Sequence, residues 1–422
     1  MHDATPVAWR AAETAARQSY GRLLAWLACR WRDVQAAEDA LADAFVAALD
    51  TWPRDGIPDS PDAWLLTAAK RQLLQAHRHR KVTQAHAASL LEEEQAMDEV
   101  ASTMIPDQRL KLMYVCAHPA IDPTLRTALM LQAVLGLEAK AIAAAFLVSP
   151  AAMAQRLVRA KRKIRDAGLR FETPEPEHLP ARTQAVLEAI YAAYGLGWER
   201  SDLIDGSPKD LAEEALYLAR LVVQLAPDDA EAAGLLALLL FCQSRAQTRR
   251  GAAGEFVPIL EQDSARWDRA LMSEADRLLW QAAAQRRPGP FQLEAAIQSA
   301  HAQRAHTGRV PWRAIAQLYA QLVSQAPTLG ACVSHAAAVA EAESPQAGLH
   351  LLARLDQART RDYQPYWAAN AHLLAREGHR QAASQAYAQA IGLTSDPAVR
   401  AFLEAKRHAL KSASASDGAL SQ

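Results

Sequence analysis

Apolar residues recur every three or four positions along most of this chain, the period of a helix that buries one face. Tyr20, Leu23, Leu24, Leu27 and Trp31 make one stripe, and after a break at Asp33 a second runs through Ala37, Leu41, Ala44, Phe45 and Ala48. The second stripe leaves Glu38, Asp39 and Asp43 on an acidic outer face. Trp52 to Pro61, rich in Pro and Gly, predicts a loop. Helix resumes at Asp62, passes Trp64, Leu65, Ala68, Leu73 and Leu74, and ends in a cationic stretch from Lys70 to Lys81. Alanine dominates and β-branched runs are scarce, so the whole chain reads as all-α.

The stretch Ser149 to Ile164 carries the strongest pattern. Ser149 suits an N-cap, and Pro150 suits the first helical position, where its missing N–H is no loss. Met153, Leu157, Ala160 and Ile164 form an apolar stripe, while Gln155, Arg156, Arg159, Arg162 and Lys163 fall outside it. Upstream, Glu138 to Phe146 predicts a short helix, with Leu147-Val148 as a tight connection. Short helix, brief turn and capped basic helix are the layout of a helix-turn-helix, whose second helix enters a DNA major groove. The expected groove-facing residues are Ala152, Gln155, Arg156 and Arg159, with Lys161, Arg162 and Lys163 nearer the phosphates. An ordinary surface helix with a solvated basic face explains the charge alone, but not the cap, the turn and the preceding helix together.

A net charge of −1 conceals strong segregation. Residues 1–170 hold 22 Lys/Arg against 19 Asp/Glu, and the remainder holds 24 against 28. Arg156 to Arg165 carries six cations and no acid, whereas Val82 to Asp107 carries six acids and no Lys or Arg. Such blocks point to a polyanionic partner more than the total does. The four cysteines are far apart and form no Cys-x-x-Cys pair, which fits a reducing cytoplasm better than a disulfide framework or a zinc site. No run approaches 18 apolar residues, so a soluble, cytoplasmic protein without a membrane partner is expected. His-Glu-x-x-His, Gly-x-x-x-x-Gly-Lys-Ser/Thr and Gly-x-Ser-x-Gly are all absent. His77, His79, His301 and His306 have poor ligand spacing and are expected at the surface. The chain therefore reads as a non-enzyme with no catalytic residue, cofactor or metal.

Prolines and charges between Thr173 and Pro180 break periodicity and predict a linker. From Ala181 onward, helices alternate with short Pro- or Gly-containing breaks, which suggests an α-solenoid of helix pairs. Trp367, Ala371, Leu374, Gly378, Ala383, Tyr387 and Ala390 match tetratricopeptide spacing. Asp263, Arg266, Trp267 and Asp268 form a charged-aromatic cluster with two readings, a local helix cap or a contact for intramolecular docking. Five parts and a tail result: 1–81, an acidic linker 82–107, 108–170, a linker 171–180, a helical extension 181–410, and a disordered tail 411–422.

In its first 160 residues or so the order of parts resembles a sigma-70-family initiation factor of the extracytoplasmic-function type. Ala37 to Phe45 is similar to the acidic helix of region 2 that grips core RNA polymerase, which implies Glu38, Asp39, Asp43 and Phe45 as polymerase-binding residues. Ala63-Trp-Leu-Leu-Thr-Ala-Ala-Lys-Arg-Gln-Leu is similar to the helix that captures the melted −10 element, and the helix-turn-helix to the region 4 domain that reads −35. Trp52 and Trp64 beside Lys70, Arg71, Arg78, Arg80 and Lys81 would then stack unpaired bases and hold their phosphates. Trp64 also has a competing place in a three-helix core. Phe146-Leu-Val, Met153 to Ile164 and Gln262-Asp-Ser-Ala-Arg-Trp-Asp268 look like one subgroup, which carries a long helical-repeat extension. The resemblance implies core RNA polymerase and promoter DNA as partners, with the extension docking intramolecularly or binding a protein regulator. It also implies that the acidic linker threads toward the RNA exit path; its six acids, Glu92, Glu93 and Glu94 among them, then have two readings, a nucleic-acid mimic in that channel or a plain solvated tether. The rival reading is a helix-turn-helix transcription regulator with a helical-repeat sensor or protein-binding domain and no sigma activity.

Overall fold

The computed structural model describes residues 5–82, 107–146, 148–169, 171, 174, 177–200 and 208–419. Helices form the regular structure, and among the described residues the β content is one isolated antiparallel bridge, Arg250 to Phe256. Two compact units divide the chain, Met1–Asp228 and Asp229–Gln422.

In the first unit, α1 (Thr5–Trp31), α2 (Val34–Asp55) and α3 (Pro61–Val82) pack together. Asp33 ends the first stripe and caps the second helix, its carboxylate accepting from the Ala36 amide at 3.0 Å. Val34, Ala37, Leu41, Ala44, Ala48 and Trp52 line the buried face of α2. The loop expected from Trp52 starts later, because α2 runs on to Asp55 with Pro53 inside its last turn. Burial of Trp52 holds that turn in place, and Gly56, at φ +93°, ends it.

Four helices follow: α4 (Gln108–Cys116), α5 (Pro123–Ala133), α6 (Ala139–Ala145) and α7 (Pro150–Asp166). Asp107, Asp122 and Ser149 supply side-chain N-caps to α4, α5 and α7. Residues 83–106, and with them the acidic tether and Glu92 to Glu94, lie outside the described residues.

After residue 177 come α8 (Leu179–Arg200) and α9 (Pro208–Leu225), which pack as a pair against α4 and α5. The buried Tyr114 hydroxyl lies 3.0 Å from that of Thr183. Arg109 pairs with Asp107 at 2.8 Å and with Glu214, and lies 5.2 Å over the Tyr217 ring. The division between units therefore falls at Asp228, later than the linker at 171–180 and the extension boundary at 181 that proline content suggests. Packing of α8 on α5 overrides the break. Gly195 and Gly197 do not break the chain but lie within α8.

The second unit runs through α10 (Ala230–Ser244), α11 (Arg269–Ala283), α12 (Pro290–Ala302), α13 (Trp312–Gln325), α14 (Leu329–Ala342), α15 (Pro345–Ala353), α16 (Gln364–Arg376), α17 (Arg380–Leu393) and α18 (Pro397–Ala419). Each helix packs on its near neighbours in sequence, giving a run of local cores such as Leu293, Ile297, Ile315 and Leu322. Ala371, Ala383, Tyr387 and Ala390 are buried where α16 meets α17, and Gly378 turns between them at φ +82°. The long connection after α10 is held from outside: Arg304 donates to the carbonyls of Ile259, Leu260 and Gln262. The tail expected to be disordered from 411 instead continues α18 to Ala419, where alanines favour helix and no proline interrupts it. His301, expected at the surface, packs edge-on to Trp312 at 5.4 Å. Burial, and then the charges of Arg245 and Arg304, push its pKa down to about 4.

Two expectations follow from this packing. A chain ending at Glu177 strips α8 and α9 from α4 and α5, so it should melt roughly 6–12 °C below a chain ending at Asp228, for a loss of about 3 kcal/mol; calorimetry of the two compares them, and equal midpoints would contradict the packing. Because His301 titrates near 6.5 when unfolded and about 4 when folded, unfolded chains bind more protons between those values. Stability should fall as pH drops from 6.5 to 4, and His301→Phe should flatten that limb in urea unfolding followed at several pH values.

Candidate nucleic-acid interface

α7 divides cleanly into two faces. Met153, Leu157, Ala160 and Ile164 are buried, while Gln155, Arg156, Arg159, Arg162 and Lys163 are exposed. Ser149 Oγ accepts from the Ala152 amide at 3.3 Å, which fixes the first turn and leaves Ala152 half-buried. The α6 and α7 axes are bent by 110°, within the range of helix-turn-helix pairs. Leu147, between them, lies outside the described residues.

Lys161 does not belong with the exposed cations. It is 4% exposed and its ammonium pairs with the carboxylate of Glu38 on α2. Sequence spacing carries the reason, because Lys161 follows Leu157 by four residues and so sits on the buried side of α7. Glu38, assigned to an outer acidic face, is correspondingly turned inward. Burial pushes its carboxyl up, and the Lys161 charge and hydrogen bond offset that only in part, so it stays above the usual carboxylate range.

The rest of α2 keeps its outer face. Asp39 and Asp43 are exposed, and half-buried Phe45 stacks on Tyr20 with centroids 6.4 Å apart. Beside those acids lie exposed Ala42, Val46 and Leu49, the last two 59% and 41% exposed. The core stripe of α2 does not include this apolar row. Its visible sign was a second set of apolar positions, at steps of four and three, outside the core stripe.

Trp52, at the end of α2, and Trp64, on α3, part company. Trp52 is fully buried, packed edge to face on Trp64 with centroids 5.6 Å apart, so it supports the site from beneath and cannot stack a base. Trp64 is half-buried and joins Ala63, Thr67, Ala68 and Arg71 around a shallow cavity of about 390 Å³. Lys70 lies 4.1 Å over the Trp26 ring, a cation–π contact that orients its side chain. The side chains of Arg78, Arg80 and Lys81, and of His77 and His79, lie outside the described residues.

In the second unit the charged-aromatic cluster serves locally. Asp263 caps a short 3-10 turn and Asp268 caps α11, while Trp267 is buried and donates to Thr248 Oγ1 at 3.0 Å. Trp280, by contrast, is 78% exposed.

Three segments match family models: residues 16–83 match sigma-70 region 2, 111–164 match sigma-70 region 4, and 182–283 match a family of unknown function, DUF6596. The uncharacterized protein R00370 of Rhizobium meliloti (strain 1021) is 34% identical over 396 residues, which cover 92% of each chain. No solved structure matches the chain. The match to region 2 covers α1 to α3 and the match to region 4 covers the capped, cationic helix-turn-helix, and on these two domains the chain belongs to the sigma-70 family.

Proposed function

We propose that this chain is a bacterial transcription initiation factor of the extracytoplasmic-function type, acting in the cytoplasm with core RNA polymerase. The observation that carries the reading is the exposed row Gln155, Arg156, Arg159, Arg162 and Lys163 on a capped second helix of a region 4 domain. In the −35 major groove, arginine to guanine and glutamine to adenine are bidentate pairs worth roughly 1–3 kcal/mol each. Arg162 and Lys163, one turn further on, hold phosphates.

Region 2 supplies the other two contacts. Asp39, Asp43 and the apolar row Ala42, Val46 and Leu49 form the surface that polymerase grips, with Phe45 and Glu38 behind them. The cavity beside Trp64 and Arg71 receives an unstacked base of the −10 element, where aromatic stacking is worth roughly 1–3 kcal/mol. Lys70, Arg78, Arg80 and Lys81 hold the adjoining backbone. The tetratricopeptide-like second unit regulates or stabilises the factor, by docking or by binding a protein partner. Within the first unit, α8 and α9, seated on region 4, already stabilise it.

Transcription in vitro with purified core polymerase tests the reading directly. The chain should confer initiation on selected promoters without another sigma factor; duplex binding with no initiation would instead favour a helix-turn-helix regulator. Within α7, Arg156→Ala should cost roughly 1–3 kcal/mol at one base position and relax specificity there. Lys163→Ala should weaken all promoters evenly and reduce the salt slope by about 0.9. Binding titrations over promoter variants at several salt concentrations separate the two.

A further inference from the structure

Glu38 and Lys161 come from domains that must work far apart. Elements at −35 and −10 are separated by about 25 base pairs, or about 85 Å of duplex at 3.4 Å per pair. A compact body of 228 residues is about 45 Å across by the usual scaling of size with length. With α7 packed on α2, both readers lie within that one body. Neither can then reach its element while the other is bound.

Several contacts join region 2 to region 4 in this closed form. Gly21 on α1 meets the backbone of Val134, where a Cβ would stand 2.0 Å from the carbonyl oxygen. Gly136, at φ +68°, lies under the Tyr20 ring. The Cys29 thiol donates to the Gln108 carbonyl at 3.8 Å. Apolar and backbone contacts of this kind hold two surfaces together without regard to partner. Glu38 and Lys161 differ, because their ion pair is nearly shut off from water, and each partner belongs to a helix with a task in initiation.

We propose that the Glu38–Lys161 ion pair is a latch that keeps the free chain closed, and that polymerase gripping α2 releases α7. This rests on the sigma reading for its partner, though closure itself does not. Loss of either charge strands the other in a poorly hydrated place, so opening becomes the way to rehydrate it. Polymerase that takes Glu38 and its neighbours offers Lys161 the same outcome, and Lys161 becomes free for DNA phosphate only then. A free factor that is mostly closed binds promoter weakly in proportion to its open fraction.

The full chain carries the test. Fluorophores attached through non-natural side chains at exposed Asp50 on α2 and Arg165 on α7 report closure by energy transfer. Transfer should be high in the free chain and fall at least twofold in E38K and in K161E. It should return in the double variant E38K/K161E, which restores the pair with its signs exchanged. If a single reversal unfolds the chain by circular dichroism, Lys161→Met replaces it, keeping bulk while removing charge. Unchanged transfer in folded E38K or K161M, or failure of the double variant to close, overturns the latch. Core polymerase should lower transfer in the unsubstituted chain to the E38K level, and retained high transfer in a polymerase-bound chain overturns release. A chain that opens with E38K yet never binds polymerase retains its latch and loses the sigma reading.

Discussion

A helix that reads DNA has to spend one face on its own domain and leave the other entirely to solvent. α7 meets that constraint with four apolar residues at steps of four, three and four, and the arrangement of the first unit follows from it. The buried face needs α5 and α6 as a base, and these need α4 and the pair α8 and α9 to close their own apolar surfaces. The Ser149 cap sets where the helix starts and therefore which residues fall on which side. Cations then occupy the outer face at no packing cost, and one cation that falls on the inner face must find an acid.

Pairing between distant residues is what local sequence does not spell out. Stripes, caps and the break at Asp33 follow from local spacing, so the helices of both units could be read from it, as could the exposed row on α7. Lys161 is different. Its inward place was written in its four-residue offset from Leu157, but its partner lies 123 positions away and no local rule names it. Trp52 misled for a related reason: Pro and Gly downstream suggested a loop, while a tertiary contact with Trp64 extended the helix. Val46 and Leu49 are exposed, and an apolar side chain on a helix does not by its spacing alone distinguish a core from a docking face.

Domain limits were the least legible part. Prolines between 173 and 180 mark a change of direction, and yet α8 returns to region 4. A proline-rich link sets a spacing but not a partner, and an apolar helix after it docks wherever it buries most surface. The match at residues 182–283 also crosses Asp228, so a sequence family and a compact unit do not coincide here.

Arg304 has an effect on the second unit that its surface position hides. Three carbonyls of a stretch with little regular structure converge on one guanidinium that comes from more than forty residues later. Backbone acceptors that a helix or sheet would normally satisfy are met by a single side chain, which also lies 5.3 Å over the Trp267 ring. The connection between α10 and α11 is thereby a rigid strut rather than a slack loop, and any partner meeting its exposed rim encounters a shape set before arrival.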